Sequence, residues 1–157
     1  MASRLIILCS ILFTSSCFAG ESASQNVRIN GFELAISQSQ TACTLSYVDK
    51  KQKGSFDLEM TAPCFFLHEK NGTAQFKTIT EFANVTVLII AGTQVTPDQG
   101  KFPRPQSLRK DCAHQARAVL IRDDRITLSS RVSHEIIYCP ESRAETKEFW
   151  LFAEAAQ

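Results

Sequence analysis

The stretch NVTVLIIAG, Asn84 to Gly92, decides how the rest of the chain is read. From Val87 to Ala91 there is no polar residue on either alternation. A strand with one wet face would alternate, so this one reads as a central strand buried on both sides. A strand of that kind needs neighbours, and the flanking sequence supplies them. VRINGFELAI carries Asn30-Gly31 between two alternating runs, the chemistry of a tight hairpin or a glycine bulge. CTLSYVDKKQKGSFDLEM reads as a hairpin across a lysine-rich turn, with Tyr47 opposite Phe56 and Cys43 opposite Met60. CFFLHEKNGTAQFKTI reads as another hairpin, with Asn71-Gly72 in a type I′ turn. RAVLIRDDRITLSSRV reads as a further hairpin around Asp123-Asp124, with Ile121 opposite Ile126.

Two segments compete between states. SLRKDCAHQARAVL places Leu108, Cys112, Ala116 and Val119 on one helical face, yet the turn at Asp123-Asp124 draws it toward a strand from Ala113 on. EFWLFA, 148–153, is apolar on both alternations and reads as another buried strand. The expected fold is mostly β: a small single-domain antiparallel barrel or sandwich with two disulfides and at most one short helix, such as a turn capped by Ser107. The expected core is Val87, Leu88, Ile89, Ile90, Val119, Ile121, Ile126, Leu128, Phe149, Leu151 and Phe152.

The first twenty residues fix the expected compartment. Arg4 is a basic n-region, Leu5–Phe13 an apolar run too short to span a bilayer, and CFA before Gly20 a small-x-small cleavage pattern. Residues 1–19 read as a signal peptide and 20–157 as a single exported β-rich domain, most simply in a bacterial periplasm. Lipid attachment at Cys17 is the rival processing route, although the apolar residue expected three positions before it is missing. Residues 20–26 are small and polar and suggest a loose start. Removing 1–19 takes Arg4 and no acidic residue, which leaves 16 basic and 16 acidic side chains. A neutral chain has no global field to draw nucleic acid, and no nucleic-acid partner is expected.

Four of the six cysteines then remain: Cys43, Cys64, Cys112 and Cys139. An even number in an exported chain reads as two disulfides. Both cysteine hairpins place the later cysteine four residues past the partner of the earlier one, which favours Cys43–Cys64 and Cys112–Cys139. Cys112, within DCAHQ, is thereby half of a structural bridge rather than a nucleophile.

No catalytic residue is singled out: nucleophile-elbow, phosphate-loop and dinucleotide motifs are all missing. No cofactor and no metal are expected. The histidines, His68, His114 and His134, lack chelating spacing, and the hairpin register sends His134 to the face opposite His114. His68 is expected to sit exposed at a strand end.

What remains is TQVTPDQGKFPRPQSLRKD, 93–111, the one long segment without periodicity. Its prolines stiffen it, Phe102 offers an apolar anchor, and Lys101, Arg104 and Arg109 surround that anchor with charge. From Lys101 to Arg125 seven basic residues face three acidic ones. The expected function is a non-enzymatic exported binding protein, an inhibitor or immunity factor that grips another protein through Lys101, Phe102, Arg104 and Arg109. The alternative is a small envelope enzyme or metal-handling protein whose site is assembled from dispersed residues.

Overall fold

The structure is a computed structural model that describes residues 25–95, 111–134 and 136–155. The elements in chain order are β1 (Gln25–Ile29), β2 (Phe32–Gln38), β3 (Cys43–Val48), β4 (Lys53–Asp57), β5 (Phe65–Phe66), β6 (Phe76–Ile79), a 3-10 turn (Thr80–Phe82), β7 (Val85–Gln94), β8 (Ala113–Arg122), β9 (Arg125–Ser133) and α1 (Thr146–Glu154). All pairings are antiparallel. One sheet runs β1-β2-β3-β4; the other runs β5-β7-β8-β9, with β6 also on β7. The sheets are not closed into a barrel; they pack as a sandwich.

The central strand explains the layering. Leu88 and Ile90 on one face of β7 pack with Val119, Ile121 and Ile126 against Phe32, Leu34, Ile36 and Leu45 of the first sheet. Val87, Ile89 and Ala91 on the other face pack with Ala116, Ala118 and Leu120 against Phe149, Phe152 and Ala153 of α1. The second sheet is therefore the middle layer, and β7 is buried from Val85 to Gly92. Each large aliphatic side chain so placed contributes about 1.5–3 kcal/mol. Of the expected core, Leu128 and Leu151 are only half-buried, while the others are buried.

The segment 148–153 is helix, not strand. Five apolar residues, Phe149 to Ala153, satisfy either period, and the deciding signal lies outside them. The Glu145 N–H donates to Glu148 Oε2 at 2.6 Å, closing the first turn in capping-box fashion. The other carboxylate oxygen accepts the hydroxyl proton of buried Tyr138 at 2.5 Å, which ties the helix start to the strand layer. Phe149, Phe152 and Ala153 then fall on one face and Trp150 points outward.

The hairpins form where expected, with local changes of register. Asn30 and Gly31 take φ of 50° and 84°, and Asp123 and Asp124 take 48° and 57°, the left-handed pairs that a type I′ turn needs. Ile121 faces Ile126. In the first cysteine hairpin Tyr47 faces Gly54 and Leu45 faces Phe56, a slip of two that preserves the faces. Tyr47 lies over the bare Cα of Gly54, where a Cβ would come within 2.5 Å of its hydroxyl oxygen, and stacks on Phe56 at 5.1 Å. Glu59, at φ 54°, then bulges and restores the expected meeting of Cys43 with Met60 (N–H to O, 2.9 Å). The turn itself is built by Asp49. Its carboxylate accepts the N–H of Lys51 at 2.7 Å and of Gln52 at 2.6 Å. The Lys51 bond foremost holds that carboxyl below the ordinary aspartate range. Lys51 and Gln52 in turn clasp Asp124 of the β8–β9 turn.

Asn71-Gly72 differs in kind from the expected type I′ turn. Only Gly72 has positive φ, 81°, and Glu69 N–H donates to Thr73 O, the pattern of a type I turn with a glycine bulge. The hairpin that it closes is short: His68 bridges Ala74, and Gln75 N–H donates to Leu67 O at 2.7 Å. Leu67 N–H bonds Ile89 O and Phe76 resumes opposite Leu88, so β5 and β6 are one edge strand interrupted by an excursion. His68 lies in that excursion, bridged to Ala74 and half-buried rather than exposed. The free side of β5 is not left bare. Cys64 N–H donates to Gln38 Oε1 at 2.7 Å, and Phe66 N–H to Gln25 Oε1 at 3.0 Å. Gln25 and Asn26 are thus part of β1 rather than a loose start.

Candidate functional site at the root of the long loop

β7 continues through Gln94, which pairs with Ala113, and Val95 N–H donates to Cys112 O at 3.3 Å. Strand pairing therefore takes Thr93 and Gln94 out of the expected 93–111 loop, while β8 begins at Ala113, just past its other end. The segment that leaves this root, 96–110, lies outside the described residues, and so do Lys101, Phe102, Arg104 and Arg109. What the structure describes is the root, and three constraints converge on it.

The first is Cys112–Cys139, with Cα atoms 4.1 Å apart. Beside it Ala113 and Tyr138 exchange both backbone hydrogen bonds, at 2.7 and 2.8 Å. The second is Cys43–Cys64, which joins the two sheets. Gly92 makes room for it: a Cβ there would lie 2.8 Å from Cys64 Sγ and 2.9 Å from Met60. Both expected disulfides are present and brace the same end of the middle sheet. The third is Thr93. A β-branched residue at φ 64° is a strained exception, and here its neighbours hold it. Its N–H donates to Thr61 O at 2.7 Å, its hydroxyl donates to Gln115 Oε1 at 2.7 Å, and Thr61 N–H donates to the same hydroxyl oxygen.

Turning Thr93 aims its carbonyl at His114, whose Nδ1 lies 3.0 Å from Thr93 O and 3.2 Å from Gln94 O. Two carbonyls can only accept, so Nδ1 carries the proton that they share. His134 joins this group, contrary to the expectation that it leaves by the opposite face. The ring centroids of His114 and His134 are 6.5 Å apart, tilted by 41°. The cause lies in β9. Arg117 faces Val132 while Val119 faces Leu128, so β9 inserts two extra residues, which keeps the faces, but the ladder ends at Ser133 and His134 lies past it, outside the strand's alternation. Arg117 secures the insertion by donating to Ser129 O at 3.1 Å, to Leu58 O at 3.3 Å and to Glu59 at 2.9 Å.

The chain was compared with known family models, curated proteins and solved structures. None of them matches it. Function therefore rests on the residues themselves. Among the described residues no group of three or more His, Cys, Asp or Glu side chains gathers to hold a metal. No helix among them is long and apolar enough to cross a membrane. A groove lies elsewhere, on the outer face of the first sheet. There Asn26, Ala35, Ser46 and Ser55 form a row of short side chains beside Arg28, Glu33, Val48 and Lys53.

Sequence reasoning found the disulfides but missed Thr93 and the histidine pair. A threonine gives no sign that it will adopt positive φ. The inserted residues in SSRV carry no glycine or proline to betray them.

Proposed function

We propose that the chain is an exported, non-enzymatic binding protein that grips an acidic protein partner through the segment 96–110, in the manner of an inhibitor or immunity factor. Residues 1–19 act as its signal peptide, and the periplasm is its site of action. The observation that carries this reading is the root: two disulfides, a strand pair and a held Thr93 fix both ends of one long segment. A segment with fixed ends and stiffening prolines loses less freedom on binding than a loop hung from loose ones. Phe102 supplies the apolar anchor and Lys101, Arg104 and Arg109 the charge that steers an acidic surface toward it. Two disulfides and the lack of a membrane-spanning helix among the described residues are compatible with an exported protein.

The test is a Phe102→Ala, Arg104→Ala double variant used as bait in periplasmic extract. It is expected to keep the native thermal midpoint and to lose the partner that the native protein captures in high salt-sensitive yield. Retention of every native partner by the variant would move the binding surface to the outer face of the first sheet.

A further inference from the structure

We propose that β4 is the contact edge of a two-fold dimer, in which it pairs antiparallel with β4 of a second copy of this chain. β4 ends the first sheet and pairs with β3 alone among the described strands. Bonds at its two ends set which way its backbone groups point. Asp49 N–H donates to Gln52 O at 2.9 Å, and Leu58 N–H donates to Cys43 O at 3.0 Å. Alternate residues of an antiparallel ladder bond the same neighbour, so Gly54 and Phe56 also face β3. Lys53, Ser55 and Asp57 then turn their N–H and C=O groups to the open edge, where another strand can pair.

The edge is complementary to itself. KGSFD, Lys53 to Asp57, has Ser55 at its centre and opposite charges two residues to either side. Pairing about a two-fold axis at Ser55 sets the two serines opposite each other, bonded by both N–H groups. It also sets Lys53 opposite Asp57 of the second copy, twice, in hydrogen-bonded positions with Cα atoms about 5.5 Å apart. All three side chains are exposed and leave the strand on one face, so each Lys–Asp pair can close. On the other face Gly54 meets Phe56 of the second copy, and the half-buried Phe56 ring gains cover beside Tyr47. A register shift of two residues puts Ser55 opposite a charge and loses the match. The remaining edges are less suited. β9 is bent by its two inserted residues, β5 and β6 are interrupted, and β1 carries the single charge of Arg28. The dimer would join two four-stranded sheets into one of eight strands. The inference stands apart from the partner reading, since it concerns β4 alone.

The experiment uses untagged, disulfide-bonded protein at low ionic strength, where exposed charges are least screened. Mass is followed by sedimentation equilibrium over a concentration series. The native protein is expected to pass from monomer to dimer, with the Ser55 amide gaining exchange protection in step with mass. Lys53→Asp and Asp57→Lys each set like charges opposite each other twice, and each is expected to weaken self-association roughly tenfold or more. An equimolar mixture of the two variants restores both opposite-charge pairs and is expected to form a heterodimer. Asp57 also accepts the Glu59 N–H at 2.8 Å, so Lys53→Asp, at an exposed side chain, is the cleaner single variant. It is expected to keep the native thermal midpoint, so its loss of dimer cannot be laid to unfolding. Three results overturn the pairing: a native protein that stays monomeric up to about 1 mM, a Lys53→Asp variant that dimerises as well as the native one, and a dimer whose Ser55 amide stays unprotected. The last would place the contact on another surface.

Discussion

Single residues set the tolerances of this molecule. Ile89 sits in the middle of the middle layer, fully buried between neighbours from β8 and the face of α1. Ile89→Ala is expected to cost about 2–5 kcal/mol, read as a lowered denaturant midpoint at unchanged slope. A loss under half a kcal/mol, on the order of an exposed-site change, would mean that the helix face can collapse onto β7. Thr93 and Gly92 stand side by side with opposite requirements. Gly92 lacks a Cβ because Cys64 occupies its space; Thr93 adopts a glycine-like φ while its hydroxyl and N–H are each used. The sequence order Gly-Thr therefore does not mark which residue bends.

At the scale of elements, the strands were legible and the helix was not. β7, β8 and the hairpins at Asn30-Gly31 and Asp123-Asp124 follow from patterning and turn chemistry, because each buries a definite face. EFWLFA misled because its apolar residues fit both periods, and because glutamate is an unusual residue at the position before a helix. Glu148 resolves the ambiguity in three dimensions. It is buried, and its two oxygens receive the Tyr138 hydroxyl and the Glu145 N–H. Register was legible only to the nearest face, since the Glu59 bulge and the insertion after Leu128 are local backbone events. Of the site, the cysteine pairing could be read, whereas the approach of His134 to His114 depended on where the β9 ladder ends. Glu148→Ala leaves a buried hydroxyl and a helix-start N–H without their acceptor. It is expected to destabilise by about 1–3 kcal/mol, with amide exchange rising first across α1. Uniform exchange over both sheets with α1 unchanged would show that the helix is held by its phenylalanines alone.

At the scale of the whole molecule, three layers are stapled at one end. Cys43–Cys64 joins the two sheets, and Cys112–Cys139 joins the root of the long loop to the segment that leads into α1. The sequence separations are 21 and 27, so the chain-entropy model gives each bridge a similar stabilisation, about 3 kcal/mol. Their local consequences differ. Removing Cys112–Cys139 by paired alanine substitution frees the backbone that Val95, Ala113 and Tyr138 share, so amide protection should fall there first. Removing Cys43–Cys64 should loosen Met60, Thr61 and the start of β5, while the Ala113–Tyr138 pair keeps its protection. Both variants should lose similar global stability, and only the first should abolish capture of a partner. Equal loss of protection at Ala113 and Tyr138 in both variants would show that the root has no stability of its own. The loop would then be hung from the sandwich as a whole, and the case for a preorganised grip would fall with it.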